Sequence, residues 1–555
     1  MQRYHARVPA PWTLASLARL RELGFTQVQL NLAWGSRPDD ETLNLEDVVV
    51  PPSDCSPQPA TLNCQPGPEA FAHRRALLHE RIAMARAAGL RTLFHFGAPY
   101  NRHQYYGDTP PNCILDPELH RRYERLLASF IQDFPGVDDI LVYTYDQDAW
   151  LCGEFGGCSR CNGVPLHRRL PAFIETLRST WRRLRPDGRI WWEPWELSAG
   201  QIHAILPHLS PDGLGLALHG NIAECMAAVV ADPWLVNTCR QAADCGLPVW
   251  VEWFLGGLSE EVEPFANLAH PLTIWRGLQR IAAVPGVSGL KEYFGLLPER
   301  IDDANLAATA LFLREPELTG TEALARLSAD YGKAAQDVAQ AWRLASEAME
   351  RHPWDCSWLG REIGRSRTDH ALSAAILRPM LCPTPSWQSS RGTVFLRTED
   401  TPAHPWLIED VGLRAEQAAA LGRQAIAAID RAVSLANPPQ RASLAAWRKD
   451  LAGFVRRSTA YACHLRLTAI ALAARRRLGD GGTLPETLIA ETRTMLETTR
   501  ANHQEECQAM GKPSTWTEPD AAIVDLERNP TSFFQRWLLP GKPECSRGPF
   551  SLTSA

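Results

Sequence analysis

Three things are missing from this 555-residue chain, and each absence removes a class of protein. No stretch approaches about 18 consecutive apolar residues, the length that carries a helix across a bilayer, so a membrane-spanning chain is not expected. No long run of one charge sign occurs: 57 Lys and Arg stand against 63 Asp and Glu, for a formal net charge of -6. That balance argues against nucleic acid and membrane surfaces as partners. No apolar core follows the basic residues of the opening MQRYHARVPAPW, so the expectation is a soluble, cytoplasmic protein. With no export signal, the 14 cysteines are expected as free thiols plus one metal site rather than as a disulfide set.

What is present is alternation. Leu14, Leu17 and Leu20 trace a helix that stops at Gly24, and Val28, Leu30 and Leu32 then alternate with polar neighbours as a strand does. The unit repeats when a helix through Leu77, Leu78, Ile82 and Met84 ends at Gly89 and feeds LRTLFHFG at 90–97. Asp116 and Pro117 are a fitting N-cap and first-turn pair for a helix through Leu126 and Ile131, which leads to ILVYTYD at 140–146. The apolar stripe Leu166, Leu170, Phe173, Ile174, Leu177, Trp181 and Leu184 precedes RIWWEPWE at 189–196. Further strands are expected at 213–220, 247–254 and 287–295, and a short opening strand near Tyr4–Val8.

Eight strands with room for a helix between each predict an α/β fold, a (β/α)8 TIM barrel over 1–300. The competing doubly wound sheet would place a Gly-rich phosphate turn after an early strand, and none is there. Beyond the barrel the pattern turns helical: an extension over 301–381, a Pro-, Ser- and Thr-rich linker over 382–410, a mostly α-helical domain over 411–510 and an irregular tail over 511–555.

A barrel does its chemistry at the C-terminal ends of its strands, and acids gather there. Asp146 and Asp148 in YTYDQDAW share one side of an extended chain, an arrangement that raises one pKa as a general acid requires. Glu252 in VWVEWF sits in so apolar a strand that it needs a purpose or a partner. Glycoside cleavage uses such a pair: one carboxyl group protonates the leaving oxygen while another attacks the anomeric carbon or activates water. Asp146 or Asp148 is therefore read as the acid and Glu252 as nucleophile or base, with Glu292 and Glu193 in reserve. Around them, Glu196, Trp34, His95, Trp150, Trp195, His219, Asn221, Trp253, Lys291 and Tyr293 are candidates for binding a small carbohydrate, whose rings stack on flat aromatic faces. Capping and core packing are the bland alternatives, and for the adjacent Lys291 and Glu292 a buried ion pair.

Cys152, Cys158 and Cys161 follow directly, spaced C-x5-C-x2-C. Zinc wants four ligands, so a structural site needs a fourth, with Cys113 the first choice and His167 the second. An open three-ligand site that activates water, and thiols with no metal, stay open. No cofactor is required for the carboxylate chemistry. Two rivals to a glycosidase are kept: a metal-dependent hydrolase or lyase using the cysteines, and a barrel that binds carbohydrate without cleaving it. A His-x-His pair on the first strand would mark a metal-dependent amidohydrolase, and His5 has no such partner. A homodimer is an option the sequence leaves open.

The elements YTYDQDAW, CGEFGGCSRC, WWEPWELSAGQ, LHGNIAE and GLKEYFGLLPE resemble those of bacterial barrel glycoside hydrolases related to hexosaminidases and α-glucuronidases. The resemblance covers 1 to about 380 in layout and 138–300 in motif, and implies a barrel with a helical C-terminal region acting on O-glycosyl bonds. Hexosaminidases carry two adjacent acids after the fourth strand, whereas Gln147 separates Asp146 from Asp148 here. Of the Asn-Glu pair after strand four and the Glu on strand seven that mark the largest barrel clan, only the last is matched, by Glu252.

Overall fold

The computed structural model describes residues 12–31, 42, 44–49, 68–100, 112–145, 149–194, 197–220, 233–253, 268–292, 303–352, 405–513 and 518–534. Seven strands lie within them: β1 (Gln27–Gln29), β2 (Arg91–Gly97), β3 (Asp139–Tyr143), β4 (Ile190–Glu193), β5 (Leu214–His219), β6 (Val249–Trp253) and β7 (Val287–Glu292). They neighbour one another in chain order and every pair is parallel. Parallel neighbours need a crossover, and helices supply it. In chain order these are α1 (Leu14–Glu22), ahead of β1, then α2 (Glu46–Val49), α3 (Pro68–Ala87), α4 (Pro117–Asp133), α5 (Leu166–Leu184), α6 (Ala199–Ile205), α7 (Pro233–Asp244) and α8 (Pro271–Ala282). Unbroken order is what a barrel wall requires, while a doubly wound sheet reverses its order at a switch point. The fold is thus a (β/α)8-type barrel with a helical C-terminal region; the opening strand expected near Tyr4–Val8 lies outside the described residues.

Local signals place these elements. The Asp116 side chain accepts a hydrogen bond from the Glu118 N–H and Pro117 opens α4, satisfying a donor the first turn leaves orphaned. After α3, Gly89 takes φ 73°, and the Leu90 N–H returns to the Ala85 carbonyl, a closure that needs a left-handed residue.

Strand alternation sorts side chains to two faces. Phe94, Phe96, Ile140, Val142, Trp192, Leu216, Leu218, Val251 and Trp253 point outward into one core shared with the helices, including the Leu170, Phe173, Leu177 and Trp181 stripe of α5. Each such buried side chain contributes roughly 1.5–3 kcal/mol. Inside the barrel, Leu93, Leu141, Trp191 and Ala217 pack with Trp250. The Trp191 and Trp250 rings stack with centroids 3.5 Å apart and planes at 17°. Glycines on the adjoining strands make room for them: a Cβ on Gly215 would lie 2.4 Å from the Trp191 ring, and one on Gly289 2.8 Å from Trp250. The barrel centre is therefore plugged, and whatever lies above the plug is a floor.

Helices α9 (Ala304–Arg314), α10 (Gly320–Ser328) and α11 (Ala335–Arg351) follow the barrel; then come α12 (Pro405–Leu435), α13 (Pro438–Gly479), α14 (Glu486–Ala509) and α15 (Glu518–Arg528). Helices α11, α12 and α13 share a core of small and aromatic residues, Ala341, Ala345, Ala348, Ala425, Ala428, Ala432, Trp342 and Trp447, with Leu268 and Leu272 from the barrel side. Between α10 and α11 the chain bends at Gly332, which takes φ 55° and ψ -116°. Two expectations need correction. The linker expectation over 382–410 fails at its end, because Pro405 starts α12 at its first turn. The tail expected to be irregular carries α15, whose Ala522, Ile523 and Leu526 pack with Leu467, Ile470 and Leu496. Its helix is short and flanked by Pro and Gly, so burial against neighbours decides its state rather than periodicity.

Candidate active site

One rung above the barrel plug, each of β2–β7 presents its next inward residue: Leu93 gives way to His95, Leu141 to Tyr143, Trp191 to Glu193, Ala217 to His219, Trp250 to Glu252 and Gly289 to Lys291. Pairing fixes them side by side, with Tyr143 opposite Glu193, His219 opposite Glu252, and Glu252 opposite Lys291. All six are buried.

They form one charged network. Lys291 Nζ lies 2.8 Å from Glu252 Oε1 and His219 Nε2 lies 2.9 Å from Glu252 Oε2. The same His219 Nε2 is 2.6 Å from Glu193 Oε1, and His95 Nε2 is 3.2 Å from Glu193 Oε2. The His95 ring meets Tyr143 edge-on at 5.4 Å. The backbone of His95 is held from the other side: its N–H donates to Asn31 Oδ1 at 2.9 Å and its carbonyl accepts from Asn31 Nδ2 at 2.7 Å.

The electrostatics divide these groups by role. Burial pushes the Glu252 carboxyl up, but Lys291 and His219 outweigh it and hold the group well below the usual carboxylate range. Burial draws the His219 imidazole down, and the charges of Glu252 and Glu193 overcome it to raise the pKa. For His95 burial wins over Glu193, so its pKa is lowered and the ring stays neutral. Glu252 thus lies between Lys291 and His219, and such pairing is what makes a buried carboxylate tolerable. Glu193, His219 and Glu252 have ligand atoms close enough together to hold a cation, and the Lys291 ammonium lies 2.8 Å from the same Glu252.

Several expected site residues are placed elsewhere. Trp253, read as a sugar platform, points outward and is buried in the sheet–helix core, because it sits one residue beyond Glu252 and alternation turns it away. His167 stacks on His208 at 6.2 Å rather than joining the cysteines. Trp150 is buried with its ring against Tyr145 at 4.7 Å. Trp34, Asp146, Asp148, Trp195, Glu196, Asn221 and Tyr293 lie outside the described residues, as does the side chain of Glu292. Tyr143 and Trp191 are not among the residues that sequence reasoning singles out, though the spacings Leu141–Tyr143 and Trp191–Glu193 carry the signal.

Beside the barrel mouth, Cys113, Cys152, Cys158 and Cys161 come together, all buried, with one sulfur of each within 4.8 Å of the others. Burial drives the Cys152 thiol up steeply and Cys161 to about 11. For Cys158 the opposing backbone N–H groups of Arg160 and Cys161 outweigh burial and bring it to about 7.

No family model and no curated protein matches the sequence. Among solved structures, an enzyme described as a GH138 member targeting pectin rhamnogalacturonan II superposes with a TM-score of 0.61 at 13% identity, over 95% of this chain and 64% of that one. This chain therefore spans under two thirds of that protein, and the likeness is one of fold. An O-GlcNAc hydrolase of Thermobaculum terrenum follows at a TM-score of 0.37 and 12% identity, over 90% and 94% of the two chains.

Proposed function

We propose that this chain is an exo-acting glycoside hydrolase that cleaves a small glycoside or oligosaccharide at the C-terminal face of its barrel. The observation that carries the reading is Glu252, a carboxylate at the centre of the barrel floor whose two oxygens are each held by a cationic group. A carboxylate kept ionised is equipped to attack an anomeric carbon or deprotonate water, and unsuited to donating a proton. The acid is then assigned to Asp146 or Asp148, which follow β3 in sequence, with Glu292 in reserve. Glu193, ordered by His95 and His219, is suited to accept sugar hydroxyls. A closed floor plugged by Trp191 and Trp250 favours one terminal sugar entering end-on over a long chain lying across the mouth. The resemblance to hexosaminidase- and α-glucuronidase-related hydrolases points the same way.

The test is turnover of chromogenic glycosides, uronides, N-acetylated sugars and pectin-derived oligosaccharides by wild type, Asp148→Asn and Glu252→Gln. Glu252→Gln is expected to lose at least about a thousandfold in kcat, several kcal/mol in the barrier. Near-normal turnover by that variant removes Glu252 from the mechanism. Sugar binding by the wild type without hydrolysis of any member of the panel makes the barrel a binding protein.

A further inference from the structure

We propose that Cys113, Cys152, Cys158 and Cys161 form a closed tetrathiolate site for one zinc ion that staples two connections at the barrel mouth. Three of the four come from the β3–α5 connection, whose residues 149–165 contain no helix or strand. The fourth comes from the β2–α4 connection, just ahead of the α4 cap at Asp116. A described stretch as long as 149–165 without helix or strand is uncommon in compact domains unless something holds it.

The local backbone is shaped for a metal. The Asn162 N–H donates to the Cys158 carbonyl at 3.0 Å and the Val164 N–H to the Cys161 carbonyl at 2.9 Å, so Cys158 and Cys161 sit in tight turns. In a tetrahedral zinc site with Zn–S near 2.3 Å the sulfurs stand roughly 3.8 Å apart, a contraction of about 1 Å at most from the spread observed here.

Arg169 supplies a second, independent observation. Its side chain is buried, one guanidinium nitrogen donates to the Cys152 carbonyl, and Nε and Nη1 have no hydrogen-bond partner among the described residues. A buried cation without a counter-ion is expensive. Zinc displaces one proton from each of four thiols, and the resulting complex carries two negative charges. That dianion provides the counter-charge that Arg169 lacks among the described residues. With all four positions taken by sulfur, no site is left for water, so the ion is structural and sits apart from the Glu252 network.

Metal content of the purified full chain tests this, after dialysis against a weak chelator. About one zinc per chain is expected; Cys113→Ser and Cys158→Ser fall well below half of that, while the buried control Cys239→Ser keeps it. Cobalt-loaded wild type is expected to show the intense visible bands of tetrahedral thiolate coordination, a readout independent of how the variants fold. Wild type free of metal, iron in place of zinc, or a disulfide between any two of the four in a peptide map would each overturn the assignment.

Discussion

Two buried polar clusters among the described residues, the one on the barrel strands and the cysteines beside it, are made in opposite ways. The Glu193–His219–Glu252–Lys291 network is built on strands, one residue from each, by the two-residue repeat that carries a chain from barrel plug to barrel floor. Its opposite charges lie side by side, with Glu252 between Lys291 and His219. The cysteine cluster is built on loops by turns and close spacing, beside a buried Arg169 whose Nε and Nη1 have no hydrogen-bond partner among the described residues. A strand-built cluster can be rigid without help, whereas a loop-built one needs a bond to close it.

Unbalancing the strand-built network is expected to have the largest effect. Lys291→Met leaves Glu252 buried beside one cation only, and about 3–5 kcal/mol of stability is expected to go, measured by denaturant unfolding. The pair Glu252→Gln with Lys291→Met is expected to recover much of that stability and none of the turnover. Recovery of both would reduce Glu252 to a scaffold residue.

Acid provides the next largest effect. Burial lowers the His270 pKa to about 4, below its unfolded value, so the stability it lends is full above pH 6.5 and declines as pH falls through its folded value. Its share is on the order of 3 kcal/mol. Glu252, also depressed, adds loss of the same sign below the ordinary carboxylate range. His219, raised, works oppositely, lending stability below its unfolded value that disappears as pH rises through its folded one. Unfolding free energy measured from pH 7 to pH 4 should fall less steeply in His270→Phe, and an unchanged slope would contradict a neutral buried ring.

The smallest effect sharpens the loop side. Asp116→Ala removes the α4 cap next to Cys113 and is expected to cost about 1 kcal/mol. If zinc anchors this loop, metal content stays near one per chain in that variant; loss of metal would show that the cap, not the ion, orders the connection.

Much of this is legible in the sequence because periodicity is local. Seven strands fall where alternation puts them, and Asp116 and Gly89 mark helix ends by the chemistry of orphaned backbone groups. The association of Cys113 with the three clustered cysteines follows from spacing and from the ligand number of zinc. Trp253 is misread when proximity to Glu252 is given more weight than the alternation that turns it outward. His95, His219 and Glu193 each stand out singly, but their mutual contacts depend on strand register, which no single segment encodes. Helix α15 escapes for a related reason, since its burial depends on residues some 30 to 60 positions earlier in the chain.

Helix α13 spans 42 residues, about 63 Å at the usual rise. Its first half seats Leu444, Trp447, Leu451 and Phe454 in the core next to the barrel, and its second half seats Leu467, Ile470 and Ala474 in a separate core with α14 and α15. It acts as a beam embedded in two walls. Loosening the outer wall bares an apolar stripe on a helix still anchored at its root, so the periphery and the barrel-side core are coupled along that axis.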